Sequence, residues 1–367
     1  KNSAEPDEAM LRDFIDWRYH AREFYENISM LVLPNNPVSV HFTSNTQCAK
    51  DSYVYGLILG LYDSNTNQSS VSLYNVSFPN RNSISFDKSN PNEKWGQVFL
   101  TSEYKYNGQI TASDTNSFND ILVSIDDQLI FIGEYLENKV KIENDRVNLI
   151  KFTPTQTDTS KESYFCTEKG NLMHNKTYKA QFRPTIVHRF QKTIHDITID
   201  PSNNQVCLAA TGDKYATLID TRDSSKTVMN LNDKILSLSY APHIPFMFAT
   251  GSSSGPVSFY DSRYPQGSLF TIKIHFAPVT RIKWSPHQRD VVALCSDDAS
   301  ITLWSINDSI EPDDPDVLFV HNGHLTPIKS FDWCKDMPFT LASVSNDKLF
   351  ELWTIAPSQI EDYLYPE

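Results

Sequence analysis

Apolar and polar positions in the second half of the chain recur in units of about 41–49 residues. Each unit carries a β-branched apolar residue at the same place: Val147, Ile194, Ile235, Val279 and Ile328. Apolar and polar residues alternate over short runs within the units, as in residues 282–284 and 301–304, which is typical of half-buried strands. A strand unit of this length cannot bury both faces alone, so the pattern predicts the blades of an all-β propeller.

The first half of the chain supplies further units with less regularity. Tyr53–Val76 and Gln109–Tyr135 each contain strand-like runs around polar turns, and the stretch Pro79–Glu93, rich in Asn, Ser and Pro, predicts a loop. With the five regular units, these runs predict seven blades over residues 31–367. We expect the strand Val38–Phe42 to complete the C-terminal blade, because joining both ends of the chain in one blade removes exposed strand edges.

Polar residues recur at fixed places in the last two units. One set consists of His275, Ser296, Asp298 and Trp304, and the other of His324, Ser345, Asp347 and Trp353. The pairs Trp304-Ser305 and Trp353-Thr354 resemble the Trp-Asp ends that give WD repeats their name. A Ser-His-Asp trio can be catalytic, but its recurrence at fixed blade positions favours buried structural hydrogen-bond networks. The fold predicted is a seven-bladed WD-repeat β-propeller.

An α-helix is predicted before the first strand. Residues 7–28 carry one apolar stripe with spacings of three and four residues, formed by Met10, Phe14, Trp17, Ala21, Phe24 and Ile28. Asp7 and Glu8 stand in the first turn, where the helix dipole favours carboxylates. We expect an N-terminal helical segment, residues 1–30, packed on the side of the propeller, with its second flank forming part of a groove.

The chain is acidic, with a formal net charge of −13 and a sequence pI near 5.2. An acidic surface repels phosphate backbones, so no direct nucleic-acid partner is expected. The charge suits a basic partner such as a histone, although many soluble proteins share it. No apolar run approaches the roughly 20 residues that span a bilayer, so no membrane contact is expected.

Motifs of catalysis and cofactor binding are not found in the sequence. It contains no Walker loop, GxGxxG, HExxH or GxSxG, so we expect a protein that is not an enzyme and has no cofactor. The five cysteines form no CxxC pair, which disfavours disulfides and a cysteine zinc site and indicates a reducing compartment. His321 and His324 suggest metal ligands, but no third ligand is evident, so no metal is expected.

Three parts of the sequence resemble the retinoblastoma-associated and MSI-type histone-binding WD-repeat proteins. They are residues 16–40, residues 282–287, and residues 313–324 with 331–333 and 341–347. The sequence is most similar to the fungal Ume-type WD-repeat transcriptional modulators, which are subunits of class I histone deacetylase corepressor complexes. The resemblance implies a nuclear, non-catalytic subunit whose partners are a class I histone deacetylase and its corepressor scaffold, with histones as further candidates.

The resemblance also implies a site, in which the helix and an acidic loop of the sixth blade grip an amphipathic helix of a histone or another subunit. The helix side comprises Phe14, Trp17, Arg18, Phe24 and Tyr25. The loop side comprises Asp308, Glu311, Asp313, Asp314 and Asp316, followed by the apolar Leu318 and Phe319. The carboxylates would attract Arg and Lys, and the helix flank would receive apolar residues of the partner.

Other functions remain open at this stage. The protein could anchor a metabolic enzyme in the nucleus, or it could act as a free histone chaperone. The sequences at residues 220–222 and 261–263 resemble the Asp-x-Arg ends of ubiquitin-ligase substrate receptors. Gln109, His195 and Asn346 stand where the family carries carboxylates that hold a basic tail, so this chain departs from that pattern.

Overall fold

The structure is a computed structural model that describes residues 8–44, 47–48, 52–79, 97–133, 137–142, 145–154, 160–178, 184–223, 225–231, 233–264, 266–306 and 317–364. Its strands form seven antiparallel sheets. The chain divides into two compact units, of which the first comprises Lys1–Gly108 with His321–Glu367 and the second comprises Gln109–Val320.

The first unit begins with a helix and the strands of one sheet. These elements are α1 (Glu8–Phe24), β1 (Tyr25–Val32), β2 (Asn36–Phe42), β3 (Gln47–Cys48), β4 (Ser52–Asp63), β5 (Gln68–Pro79) and β6 (Gln97–Asn107). The sheet has the order β2-β4-β5-β6, and β3 pairs with β4. Buried residues lie on both faces of its central strands, so Leu57, Ile58 and Leu59 are all enclosed although they are consecutive.

The second unit consists of five four-stranded sheets in which consecutive strands pair. The first two sheets are β7 (Ile110–Thr115), β8 (Ile121–Ile125), β9 (Gln128–Ile132) and β10 (Glu137–Lys141), then β11 (Val147–Phe152), β12 (Ser160–Thr167), β13 (Asn171–Tyr178) and β14 (Thr185–Arg189). The third is β15 (Asp196–Asp200), β16 (Asn203–Ala210), β17 (Tyr215–Asp220) and β18 (Lys226–Asn230). The last two are β19 (Ile235–Tyr240), β20 (Met247–Ser252), β21 (Val257–Asp261) and β22 (Phe270–Ile272), then β23 (Val279–Trp284), β24 (Val291–Ser296), β25 (Ile301–Ser305) and β26 (Val317–His321).

The C-terminal part of the first unit forms a sheet together with β1. Its elements are β27 (Ile328–Trp333), β28 (Thr340–Ser345), β29 (Leu349–Ile355), a 3-10 helix at Pro357–Gln359 and α2 (Glu361–Leu364). The sheet has the order β1-β29-β28-β27. Strand β1 runs antiparallel to β29, with Ile28 opposite Trp353 and Met30 opposite Glu351. The seventh blade is therefore built from two distant parts of the chain.

The strand that completes this blade is β1, so the prediction that Val38–Phe42 would do so is wrong. Val38–Phe42 lies in β2 and pairs with β4 in the first blade. The apolar stripe continues to Ile28 and therefore predicts that residues 25–28 belong to the helix. The helix ends at Phe24, and residues 25–30 of the predicted helical segment belong to β1 because pairing with β29 prevails over the helical period.

Backbone-to-carboxylate hydrogen bonds link the first strands of neighbouring blades. In the second unit, the Phe152 N–H donates to Asp114 Oδ2 at 2.7 Å, and the Leu238 N–H donates to Asp196 Oδ2 at 2.8 Å. In the first unit, the Phe42 N–H of β2 donates to Asp332 Oδ2 of β27 at 2.9 Å. A charged acceptor makes such hydrogen bonds stronger than those between neutral groups. The carboxylates of these strands therefore help to hold neighbouring blades together.

The seven sheets confirm the predicted all-β, seven-bladed WD-repeat propeller with an N-terminal helix. The strands of the run Tyr53–Val76 lie in the first sheet, and the described strands of the run Gln109–Tyr135 lie in the second, as expected. Most of the predicted loop Pro79–Glu93 lies outside the described residues, and Pro79 ends β5. Neither helix in the described part of the chain combines the length and apolar character that crossing a membrane requires.

Candidate protein-interaction site

Aromatic contacts fix α1 against the C-terminal blade. The Phe14 and Trp17 rings stack with centroids 5.7 Å apart, and the Trp17 ring meets Tyr25 edge-on at 5.8 Å. The Trp17 indole N–H donates to the Tyr25 hydroxyl at 3.3 Å, and Ala21 is buried. The apolar stripe predicted from the sequence therefore contains the residues that hold the helix in place.

A second apolar row on α1 faces solvent. Leu11, Ile15 and Tyr19 are 45%, 60% and 82% exposed, and their spacing of four residues places them on one side of the helix. These three residues are not among the predicted site residues, although their four-residue spacing is visible in the sequence. Three large apolar side chains in line, held on an anchored helix, form a surface on which another apolar face can pack.

Acidic side chains accompany the exposed row. Asp16 and Glu23 have 83% and 72% of their side-chain surface exposed, and His20 lies 3.9 Å and 3.6 Å from their carboxylates. Arg18, a predicted partner residue, is also exposed. Phe14, Trp17 and Phe24 are also predicted to contact the partner. They are half-buried, so only part of each ring is open to a partner. The helix thus offers an apolar row with charged groups along it.

Tyr25 is a buried structural residue, so its assignment to the partner surface is wrong. It is 2% exposed, and its hydroxyl lies 2.7 Å from His321 Nδ1. The ring also meets the Trp353 ring edge-on at 6.0 Å, which encloses it within the blade. Burial raises the pKa of Tyr25 well above its ordinary value, so the hydroxyl stays protonated.

The acidic side of the predicted site falls mostly outside the described residues. This holds for all five of its carboxylates, namely Asp308, Glu311, Asp313, Asp314 and Asp316. In β26, Leu318 is half-buried and Phe319 is 8% exposed, so Phe319 is a core residue and does not offer a contact surface. The grip between loop and helix stays a prediction.

The first recurrent polar set forms a partial network. His275 Nδ1 lies 2.9 Å from Asp298 Oδ2, and the other Asp298 oxygen accepts the Ser300 N–H at 3.0 Å and its hydroxyl at 2.6 Å. The Asp298 N–H donates to Ser296 Oγ at 3.3 Å. The indole N–H of the buried Trp304 finds no acceptor among the described residues, so the expected series of hydrogen bonds does not extend to the tryptophan.

The second set forms a connected network, with one change from the expected order. His324 Nδ1 lies 2.8 Å from Ser345 Oγ, and the Ser345 hydroxyl donates to Asp347. His324 Nε2 lies 2.7 Å from Ser343 Oγ, which also accepts the Trp353 indole N–H at 3.4 Å. Ser343, which the sequence analysis did not include, thus connects the histidine to the tryptophan.

The two networks differ because of one position. The place that Ser343 takes in the seventh blade is occupied by Leu294 in the sixth, and a leucine has no oxygen to offer Trp304. Both tryptophans are almost fully enclosed, with at most 1% of their surface exposed. The recurrent histidines and serines are therefore buried in the blades, whereas Asp298 and Asp347 are exposed.

His321, His324 and Glu351 form a buried cluster in the first unit. One ligand-type atom from each residue lies within 4.8 Å of the others. The expectation that the two histidines lack a third candidate ligand is therefore wrong, since β29 brings Glu351 to them. Its position opposite Met30 and two residues before the buried Trp353 placed it on a core-facing side of the strand.

The two Asp-x-Arg ends make local ion pairs. The guanidinium of Arg263 lies 2.6 Å from Asp261, and Arg222 pairs in the same way with Asp220. The Arg222 hydrogen bonds lower the pKa of Asp220 to about 2. Each arginine thus engages its own aspartate. Gln109, His195 and Asn346 are all exposed.

Comparisons with known proteins support the WD-repeat fold and show which proteins this chain is similar to. The model of the family "WD domain, G-beta repeat" matches residues 266–305. The chain is 23% identical to Histone acetyltransferase type B subunit 2 of Debaryomyces hansenii, over 92% of this chain and 89% of that protein. The protein of the same name from Candida glabrata is 21% identical, over 92% of this chain and 86% of its own. Histone-binding protein MSI1 of Saccharomyces cerevisiae is 24% identical over 44% of this chain and 38% of its own. The resemblance to MSI-type histone-binding WD-repeat proteins is confirmed.

The network around Asp298 makes the stability of the protein depend on acid pH. Burial alone would raise the pKa of Asp298, but the hydrogen bonds from His275 and Ser300 prevail and hold it below the ordinary value. We expect Asp298→Asn to lower the free energy of unfolding at pH 7 by about 1 kcal/mol, because charge-assisted bonds are lost from a side chain that is 35% exposed and therefore partly screened by solvent. A carboxyl group whose pKa is lower in the folded than in the unfolded protein stabilises the fold at pH values above its ordinary pKa. This stabilisation is lost as the pH falls through the pKa that the group has in the folded protein. The difference between wild type and variant should therefore shrink below about pH 4.

Urea unfolding between pH 3 and pH 7 measures this difference. The exposed neighbour Asp297, changed to Asn, is the matched control, and its effect should stay within about 0.5 kcal/mol. A difference for Asp298→Asn that stays constant over the whole pH range would contradict the role assigned to its charge.

Proposed function

We propose that this chain, a relative of MSI-type histone-binding WD-repeat proteins, is a non-catalytic subunit of a chromatin-modifying complex that docks an amphipathic helix of its partner along α1. The observation that carries the proposal is the exposed row of Leu11, Ile15 and Tyr19 on a helix whose other side is anchored. In helix-in-groove recognition, an amphipathic helix packs apolar residues at spacings of three and four against an apolar surface of its partner.

Charge supports a basic partner. The chain carries a net charge of −13, and five carboxylates lie within residues 308–316 of the sequence. A partner helix with one apolar side and flanking Lys or Arg would match both the apolar row and these acidic groups. Histones combine these properties, and the names of the relatives point to histones as well.

The complex we assign is a histone deacetylase corepressor complex, with a class I deacetylase and its scaffold as partners. This assignment rests on the similarity of the sequence to the Ume-type modulators. A second candidate is a complex with a histone acetyltransferase, because the two relatives with the widest coverage among those compared are named as subunits of such an enzyme. Both candidates imply a nuclear protein that binds other proteins without catalysing a reaction itself.

The apolar row is tested by the double variant Ile15→Ser with Tyr19→Ser. We expect its affinity for purified histone H3–H4 to fall at least about tenfold, because exposed aromatic and aliphatic anchors dominate such interfaces. Both side chains are mostly exposed, so the fold should be unaffected. Isothermal titration calorimetry at fixed salt measures the affinity.

The matched control for this variant is Tyr215→Ser with Val228→Ser, which also removes one exposed aromatic and one exposed aliphatic side chain. These residues are 48% and 56% exposed and lie in the second unit. Unchanged affinity of the helix variant, or an equal loss in the control, would falsify the proposal that the partner docks on the exposed apolar row of α1.

The acidic loop is tested by charge reversal, with Asp313, Asp314 and Asp316 all changed to Lys. We expect the association of histones to weaken by more than tenfold at low salt and by less at high salt, because the attraction between surface charges is screened. If histone binding and complex assembly are both unchanged, the loop has no part in the site, and the helix row alone remains.

The complex is identified by purification of the native protein from nuclear extract at moderate salt, followed by mass spectrometry with deacetylase and acetyltransferase assays. We expect a class I deacetylase and its scaffold to co-purify. Acetyltransferase activity in their place would favour the second candidate. Histones alone would indicate a free chaperone, and a metabolic enzyme without either activity would indicate a nuclear anchor.

A further inference from the structure

The buried cluster of His321, His324 and Glu351 has no part in the exposed apolar row on α1. His321 Nε2 lies 2.8 Å and His324 Nε2 lies 3.8 Å from Glu351 Oε2. The side chains of His321, His324 and Glu351 are 0% exposed. Two strands and the segment between β26 and β27 thus place three potential metal ligands around one point in the interior of the first unit.

Three buried polar atoms of the cluster have no ordinary hydrogen bond within the described part of the chain. Neither Glu351 carboxylate oxygen has a hydrogen-bond partner among the described residues, and neither has His321 Nε2, although it lies close to Glu351 Oε2. A buried carboxylate is costly unless charges or donors compensate it. A buried carboxylate beside two imidazole nitrogens is suited to hold a cation.

The second nitrogen of each histidine is held by a hydroxyl group. His321 Nδ1 lies 2.7 Å from the Tyr25 hydroxyl, and His324 Nδ1 lies 2.8 Å from Ser345 Oγ. Histidines that bind metal are oriented in this way, with one nitrogen on a neighbouring polar group and the other on the ion. Both Nε2 atoms are thereby directed towards Glu351.

The donor set and its spacing match zinc. Two imidazoles and a carboxylate are ligands that Zn²⁺ takes at about 2.0–2.2 Å, which puts neighbouring ligand atoms of a tetrahedral site about 3.3 Å apart. The two distances to Glu351 Oε2, 2.8 Å and 3.8 Å, lie on either side of this value. His324 Nε2 also contacts Ser343 Oγ at 2.7 Å, so metal binding would exchange this hydrogen bond for a metal bond.

Gly323 leaves the space that this arrangement needs. A Cβ atom at residue 323 would lie 2.2 Å from Glu351 Oε2 and 2.7 Å from His321 Cε1. The backbone between the two histidines can therefore pass over the carboxylate only without a side chain.

We propose that His321, His324 and Glu351 form a zinc-type divalent metal site, with water as the fourth ligand. The ion would tie the segment between β26 and β27 to β29, and through Tyr25 it would also support β1. Because the three ligands are buried, the ion enters as the blade forms, and its role is structural.

The experiment measures metal content in the untagged, full-length protein. The wild type and the variant Glu351→Gln are unfolded in chelator, refolded with one equivalent of Zn²⁺ and dialysed, and zinc is counted by mass spectrometry of the acid digest. We expect one zinc per wild-type chain and about a tenfold lower content in Glu351→Gln. The matched control is Glu162→Gln, because Glu162 is also a buried glutamate, 3.7 Å from His174, and this variant should keep its zinc.

A second measurement covers the case in which Glu351→Gln fails to refold. The wild type alone is refolded without metal and titrated with Co²⁺, whose visible absorption reports tetrahedral coordination by nitrogen and oxygen ligands. We expect saturation at one equivalent and a higher Tm with metal than without it. Less than a tenth of an equivalent of zinc in the refolded wild type, or equal zinc in wild type and Glu351→Gln, would overturn the proposal. Either result would mean that His321 and Glu351 share a proton without an ion.

Discussion

The pairing of β1 with β29 is the constraint on which the rest of the first unit depends. It places Ile28 opposite Trp353 and Met30 opposite Glu351. It also gives β29 a hydrogen-bonded partner on the side that does not pair with β28. Because α1 leads directly into β1, the same pairing fixes where the helix lies and which of its sides faces solvent. It also brings the Tyr25 hydroxyl to His321, so the exposed row and the buried cluster both depend on one strand contact.

The repeated part of the fold could be predicted because each blade meets the same local demands. Apolar residues at the strand start, alternation within strands and polar residues at the turns reappear wherever a blade must be buried on both faces. The completing strand could not be predicted in the same way. Residues 25–28 continue the helical stripe and also fit a strand, and only the distant partner β29 decides between the two. Local sequence contains no signal for that partner.

The site was predictable to a smaller degree. The anchoring residue Trp17 was found because it lies in the stronger apolar stripe, whereas Ile15 and Tyr19 form a weaker second row, and the sequence does not say which side a helix turns to the protein. Tyr25 was assigned to the surface by resemblance, but its hydroxyl bonds with His321 in the interior. Glu351 escaped notice because its neighbours in sequence are apolar and the histidines lie about 30 residues away.

Synthesis on the ribosome adds a consequence of the β1–β29 pairing. Val32 leaves the exit tunnel roughly 300 residues before Leu349, its partner in the sheet, has been translated. Throughout that interval α1 and β1 form a tethered segment with an unpaired edge and exposed aromatic side chains, which is the kind of surface that chaperones recognise. The surface offered to partner proteins thus becomes available only after the last strand has emerged, so a truncated nascent chain would not compete with the finished protein for its partners.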